Sequence, residues 1–302
     1  MKRVLLLAFV FSSLYASAQL SGTKKIGTPG NCGGPCDYSS ITGVGGLFEA
    51  VNVAGINGNV VAQIYTDLTE DGSNVLSDFV DAGGPHTILI QPIDATMRTL
   101  SGLNDGDGLI PILGGDRVIF DGREPSDISS SHSTPRYLTI RNTSTIGPAV
   151  TVGSDAVSVS LRFLIIESSN ASNLTGVVEV GGGTISGNDD LVIDYCDIKD
   201  AGAALPWCGI NLSGGSESND NLRLSNNYIY NFYANGVNGG FGINLENFNR
   251  TVTITGNSFF QSASRSLPGS HSYTAIRIST SGNSINVVNN FIGGTAPECG
   301  GG

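Results

Sequence analysis

Asp194, Glu246 and Arg277 are the groups whose types and spacing come nearest to a catalytic set. Paired carboxyl groups do general acid and base work, and two facing ones are what hydrolysis of a glycosidic bond requires. Glu246 and Arg277 fall one repeat apart, so they can meet either as working groups or as a surface ion pair. No outward column brings acids together on neighbouring repeats. Asp189, Asp190, Asp194, Asp197 and Asp200 form an acidic run. It reads as solvated turn-forming acids or as a calcium or catalytic patch. Asn104-Asp-Gly-Asp-Gly108 begins like a calcium loop but lacks the remaining ligands and the closing Glu. His86, His132 and His271 have no metal spacing, and no Gly-x-Ser-x-Gly nucleophile motif occurs. We therefore assign no catalytic residue and no metal ligand, and calcium is the one cofactor that the acidic run leaves open.

A second set of side chains suits binding. Trp207, Tyr230, Tyr233 and Tyr273 offer apolar faces with polar edges, on which sugar rings stack. The alternative is that they fold inward and anchor long loops. Arg265 and His271 share the longest of these loops with Tyr273.

The elements that carry these residues repeat. Asn221-Leu-Arg-Leu-Ser-Asn-Asn-Tyr-Ile229, Thr251-Val-Thr-Ile-Thr-Gly-Asn-Ser-Phe259 and Ser284-Ile-Asn-Val-Val-Asn-Asn-Phe-Ile292 are near copies, and Asp190-Leu-Val-Ile-Asp-Tyr-Cys-Asp-Ile198 keeps the pattern. One row of anchors runs Ile140, Leu161, Ile193, Leu224, Ile254, Val287, and a second Val152, Val180, Leu212, Leu245, Ile278. The residue two before each anchor is also apolar, which is the period of a strand with one face inward. A third apolar position follows the first row after a tight corner, at Ile166, Ile198, Ile229, Phe259 and Ile292. Three strands per coil with repeated corners predict an all-β parallel β-helix, a solenoid. Cys196, Asn227, Asn257 and Asn290 occupy the corner, where a stacked Asn bonds its neighbours and the backbone. These we read as scaffold. The extra length emerges after the third strand, in 199–207, 230–241 and 261–275, and loops stacked on one side of a solenoid are where binding is expected.

Bulk properties set the class. Residues 1–18 read as a signal peptide: Lys2-Arg3, an apolar run and Ala16-Ser-Ala18. Residues 19–58 form an N-terminal segment with a short helix that caps the solenoid, and 59–302 form the β-helix. Charged residues are 14% against 39% hydrophobic, which is not a disordered composition. A net charge of −11 disfavours nucleic acid and anionic membranes. No stretch is long and apolar enough for membrane insertion. Cys32-Gly-Gly-Pro-Cys36 can close a small disulfide loop or form half of a zinc site.

The chain resembles right-handed parallel β-helix proteins of the pectate-lyase-like superfamily, in the adhesin-like group exported by the type IX secretion system. The resemblance rests on Asp37-Tyr-Ser-Ser-Ile41, Gly114-Gly-Asp-Arg-Val-Ile-Phe-Asp-Gly122, Leu138-Thr-Ile-Arg-Asn-Thr-Ser144, Ser225-Asn-Asn-Tyr-Ile-Tyr-Asn231 and Asn290-Phe-Ile-Gly-Gly-Thr-Ala-Pro297. It implies a secreted or cell-surface protein. The superfamily includes polysaccharide lyases, which use clustered acids for calcium with an Arg or Lys base, and glycosidases. A further sorting domain usually follows in this group. Here the chain stops at Glu298-Cys-Gly-Gly-Gly302 directly after a repeat, and we expect an N-terminal fragment. The leading expectation is a non-catalytic monomer that presents its long loops to polysaccharide or cell-surface glycan. The alternatives are a carbohydrate-active enzyme and a structural spacer.

Overall fold

The computed structural model describes residues 18–202, 204–233, 239–266, 272–280 and 284–301. Residues 1–17 of the 1–18 signal-peptide reading, the candidate ligand contact His271 and parts of all three long loops lie outside the described residues.

The chain is an all-β parallel solenoid of about 8 turns, built from three sheets. A nine-stranded sheet starts with Leu20–Ile26 and ends with Ser284–Val288. An eight-stranded sheet runs from Leu68–Thr69 to Phe291–Ile292, and a six-stranded sheet from Ile110–Leu113 to Tyr273–Ile278. Leu161, Ile193, Leu224, Ile254 and Val287 are in register in the first sheet. Val152, Val180, Leu212, Leu245 and Ile278 are in register in the third. The columns are fully buried until the last coil, where Ile278, Val287 and Ile292 are exposed.

Two features differ from the sequence reading. Ile140 does not belong to the first row. It pairs with Leu100 and Ile166 in the eight-stranded sheet, and the partner of Leu161 is Phe120. The cause is an insertion, 122–137, between the strands Val118–Asp121 and Leu138–Asn142. Later coils turn this corner in two residues, as between Val192–Asp194 and Asp197–Asp200. The long connection of that coil therefore leaves from a different corner. The short helix is Leu47–Ala54, with Leu47, Phe48 and Val51 buried. It stops at Gly55 (φ 70), not at Asn57-Gly58, which lie inside the strand Ile56–Ile64. A Cβ at residue 55 would come within 2.4 Å of the Val80 carbonyl oxygen, so only glycine fits this left-handed turn.

The asparagine corner is a hydrogen-bonded ladder. Asn227 donates to the Ile193 carbonyl, Asn257 to Leu224 and Asn290 to Ile254, each at 2.9 Å. The Cys196 thiol reaches the Leu161 carbonyl at 3.4 Å, the same place one coil earlier. Burial pushes this thiol up to about 12, so it stays a protonated donor. A second ladder lies at another corner. Asn188 donates to Asn219 (2.9 Å) and Asn219 to Asn249 (3.0 Å), all fully buried. Cys32 and Cys36 form a disulfide with Cα atoms 5.4 Å apart.

Candidate functional site

The outward face of the six-stranded sheet carries a polar column. Thr151, Glu179, Asn211, Asn244 and Arg277 are successive partners across five strands. Outward residues of a solenoid normally meet water, yet the first four are at most 8% exposed. The strap 170–176 passes over this end of the column. Gly176 N–H donates to Glu179 Oε2 (3.0 Å), and Asn211 Nδ2 reaches the Leu174 carbonyl (3.4 Å). Asn211 Nδ2 also bonds both Glu179 oxygens, and Ser213 Oγ bonds Oε1 at 2.9 Å. Asn211 Oδ1 accepts from Asn244 Nδ2 at 2.7 Å, which continues the chain towards Glu246 and Arg277.

Burial pushes the Glu179 carboxyl up to about 7, against the pull of its donors. The folded chain then holds a proton that the unfolded chain releases near 4.5. Stability from this group is full below the unfolded value and is lost as pH rises towards 7. We expect wild type to lose roughly 3 kcal/mol over that window relative to Glu179→Gln. Urea unfolding of both proteins at pH 5 and pH 8 checks it. An unchanged difference between them would remove Glu179 as the titrating group.

Beyond this column lies a cleft of about 540 Å³, lined by Asn173, Trp207, Phe241, Glu246, Ser272, Thr274 and Arg277. Gly209 and Gly242 lie in the strands Cys208–Leu212 and Gly240–Leu245, beside the lining residues Trp207 and Phe241. A Cβ on Gly209 would stand 2.5 Å from Ile229, and one on Gly242 2.5 Å from Phe259. The strands thus turn their glycines to the core. Trp207, Cys208 and Phe241 form a separate apolar cluster instead of joining the core. Trp207 and Phe241 meet edge to face at 5.3 Å. Trp207 is only 5% exposed, so it offers no open face for stacking, contrary to one of the two sequence readings. Its indole N–H has no hydrogen-bond partner among the described residues. Glu246 and Arg277 stand 3.8 Å apart at the mouth.

A second cleft, of about 280 Å³, gathers Tyr233, Gln261, Ala263, Ser264, Arg265, Tyr273, Gly294 and Thr295. Three residues chosen from sequence, Tyr233, Arg265 and Tyr273, meet here. Tyr273 stacks on Phe232 at 4.7 Å and accepts from Gln261 Nε2 (3.0 Å), and Arg265 Nε donates to Gln261 Oε1 (3.3 Å). Ser272 lines the larger cleft and Tyr273 the smaller, so one stretch of backbone separates the two.

Other candidates sit elsewhere. Asp194 is in the nine-stranded sheet, a different sheet from Glu246 and Arg277, and does not join them. It is held by Arg223 (3.1 Å), Ser225 (2.9 Å) and Asn226 (3.1 Å). Tyr230 stacks on Phe260 at 4.6 Å on the eight-stranded sheet and lines neither cleft. The acidic run is split around a corner: Asp190 bonds Asn221, Asp197 faces Arg136 at 3.4 Å, and Asp200 accepts from Asn231. Among the described residues no three His, Cys, Asp or Glu side chains are grouped to hold a metal ion. Asn104 uses its side chain to close its own turn, accepting from Gly106 and Gly108.

Sequence reasoning missed Phe241, Asn173, Ser272, Thr274 and the buried state of Glu179. The paired glycines at 209 and 242, one repeat apart, were the available signal for an altered strand. Compared with known proteins, the chain matches no family model, no curated protein and no solved structure.

Proposed function

We propose that this chain is an exported, non-catalytic, adhesin-like surface protein. It is a monomeric right-handed β-helix of the pectate-lyase-like kind, with the helix Leu47–Ala54 as its N-terminal cap. Its long-loop side binds glycan across two adjoining clefts. The observation that carries this reading is their adjacency: Ser272 and Tyr273 are neighbours in the chain and line different clefts. One oligosaccharide can occupy both. The lining supports it as well. Hydroxyl, amide and tyrosine groups dominate, as sugar recognition requires.

A glycan array with the full chain, followed by calorimetry on the hits, tests the reading. Tyr273→Ala should weaken binding at least tenfold, because the phenol ring walls the smaller cleft. Retained binding in this variant would remove the smaller cleft from the site. No binding to any glycan would leave a structural spacer. One observation favours an enzyme as the second reading: the near-neutral Glu179 carboxyl is linked through Asn211 and Asn244 to Glu246. Turnover of a bound polysaccharide that is lost in Glu246→Gln would establish it.

A further inference from the structure

We propose that the larger cleft selects a neutral sugar with two adjacent hydroxyl groups, held jointly by Glu246 and Arg277. This rests on the glycan-binding reading and names its ligand class. Glu246 and Arg277 are the charged residues of the lining, one of each sign. At 3.8 Å they are too far apart to satisfy each other by a hydrogen bond. Both side chains remain partly open, at 42% and 43% exposure.

They are nevertheless held in place. Asn244, fully buried beneath them, donates to Glu246 Oε1 at 3.1 Å and accepts from Arg277 Nη1 at 3.3 Å. The guanidinium lies over the Phe241 ring at 5.3 Å. The result is a fixed acceptor beside a fixed donor, each with unspent hydrogen-bonding capacity. Adjacent sugar hydroxyls match that arrangement. One donates to the carboxylate while its neighbour accepts from the guanidinium, and charge-assisted bonds of this kind are the stronger ones. Thr274, Ser272 and Trp207 line the same cleft, and the Trp207 indole N–H has no hydrogen-bond partner among the described residues.

Charge decides against the other sugar classes. A uronate would set its carboxylate against Glu246, in a chain of net charge −11. An amino sugar would meet Arg277.

The test uses the full chain on an array of neutral, uronate and amino-sugar oligosaccharides, with calorimetry on each hit. Neutral glycans should bind. Analogues lacking one of two adjacent hydroxyls should bind at least tenfold more weakly. Glu246→Gln and Arg277→Gln should each cost tenfold or more; the first keeps the oxygen that Asn244 bonds, so folding is preserved. A preference for uronates overturns the inference and leaves the glycan-binding reading standing. So does full binding in both variants with loss in Tyr273→Ala. Silence across the whole array overturns both.

Discussion

Glu70→Ala is expected to lower unfolding free energy by roughly 5 kcal/mol, a large part of the stability of an ordinary domain. The carboxylate is 1% exposed and accepts four hydrogen bonds from one tight segment. Its donors are Ser40 Oγ (2.6 Å), Ile41 N–H (2.8 Å), Thr42 N–H (2.7 Å) and Thr42 Oγ1 (2.7 Å). The same segment starts the helix, since Leu47 N–H bonds the Ser40 carbonyl and Phe48 N–H that of Ile41. Glu70 in turn is tied to the eight-stranded sheet through its own N–H to Ser101. Removing the side chain strands two buried backbone donors and two hydroxyls at once. Urea unfolding followed by far-UV circular dichroism measures the loss. Glu70→Gln keeps one acceptor oxygen and should lose less. A wild-type midpoint in the alanine variant would show that the clamp contributes nothing.

The second large effect belongs to the asparagine ladder. Asn257→Ala should cost about 4 kcal/mol, because four polar groups each lose a hydrogen bond to this fully buried side chain. Those groups are Asn227 N–H and Nδ2, the Leu224 carbonyl and Asn290 Oδ1. A companion change runs the other way. Cys196→Asn places an amide where the thiol now makes a long contact to Leu161, so about 1 kcal/mol is gained. Thermal melts of the two variants beside wild type give opposite shifts if the corner works as a ladder. Shifts of the same sign would mean that corner volume, not hydrogen bonding, sets stability there.

The site was only partly legible. Tyr233, Arg265 and Tyr273 come together, and Glu246 meets Arg277, because all of them ride on neighbouring coils whose register is regular. Asp194 stands beside the first row of anchors, in a different sheet from Glu246 and Arg277, and does not join them. Glu179 occupies an outward column position. It is buried because the strap 170–176 folds back over its strand, and nothing in the strand itself encodes that cover.

What the sequence by itself determined is the coil: the alternation of Val, Ile and Leu, the parallel stacking and the Asn corner. Those features mean the same thing on every turn, since each residue meets its counterpart about thirty positions away in the same role. Tertiary structure alone decided where the irregular segments go. It sent 122–137 out of a different corner, laid the strap across Glu179, buried Trp207 against Phe241 and divided the long-loop side into two clefts. The reason is physical. Repeating contacts follow from a local period, whereas an insertion of unequal length finds its partners only after the coils beneath it have stacked.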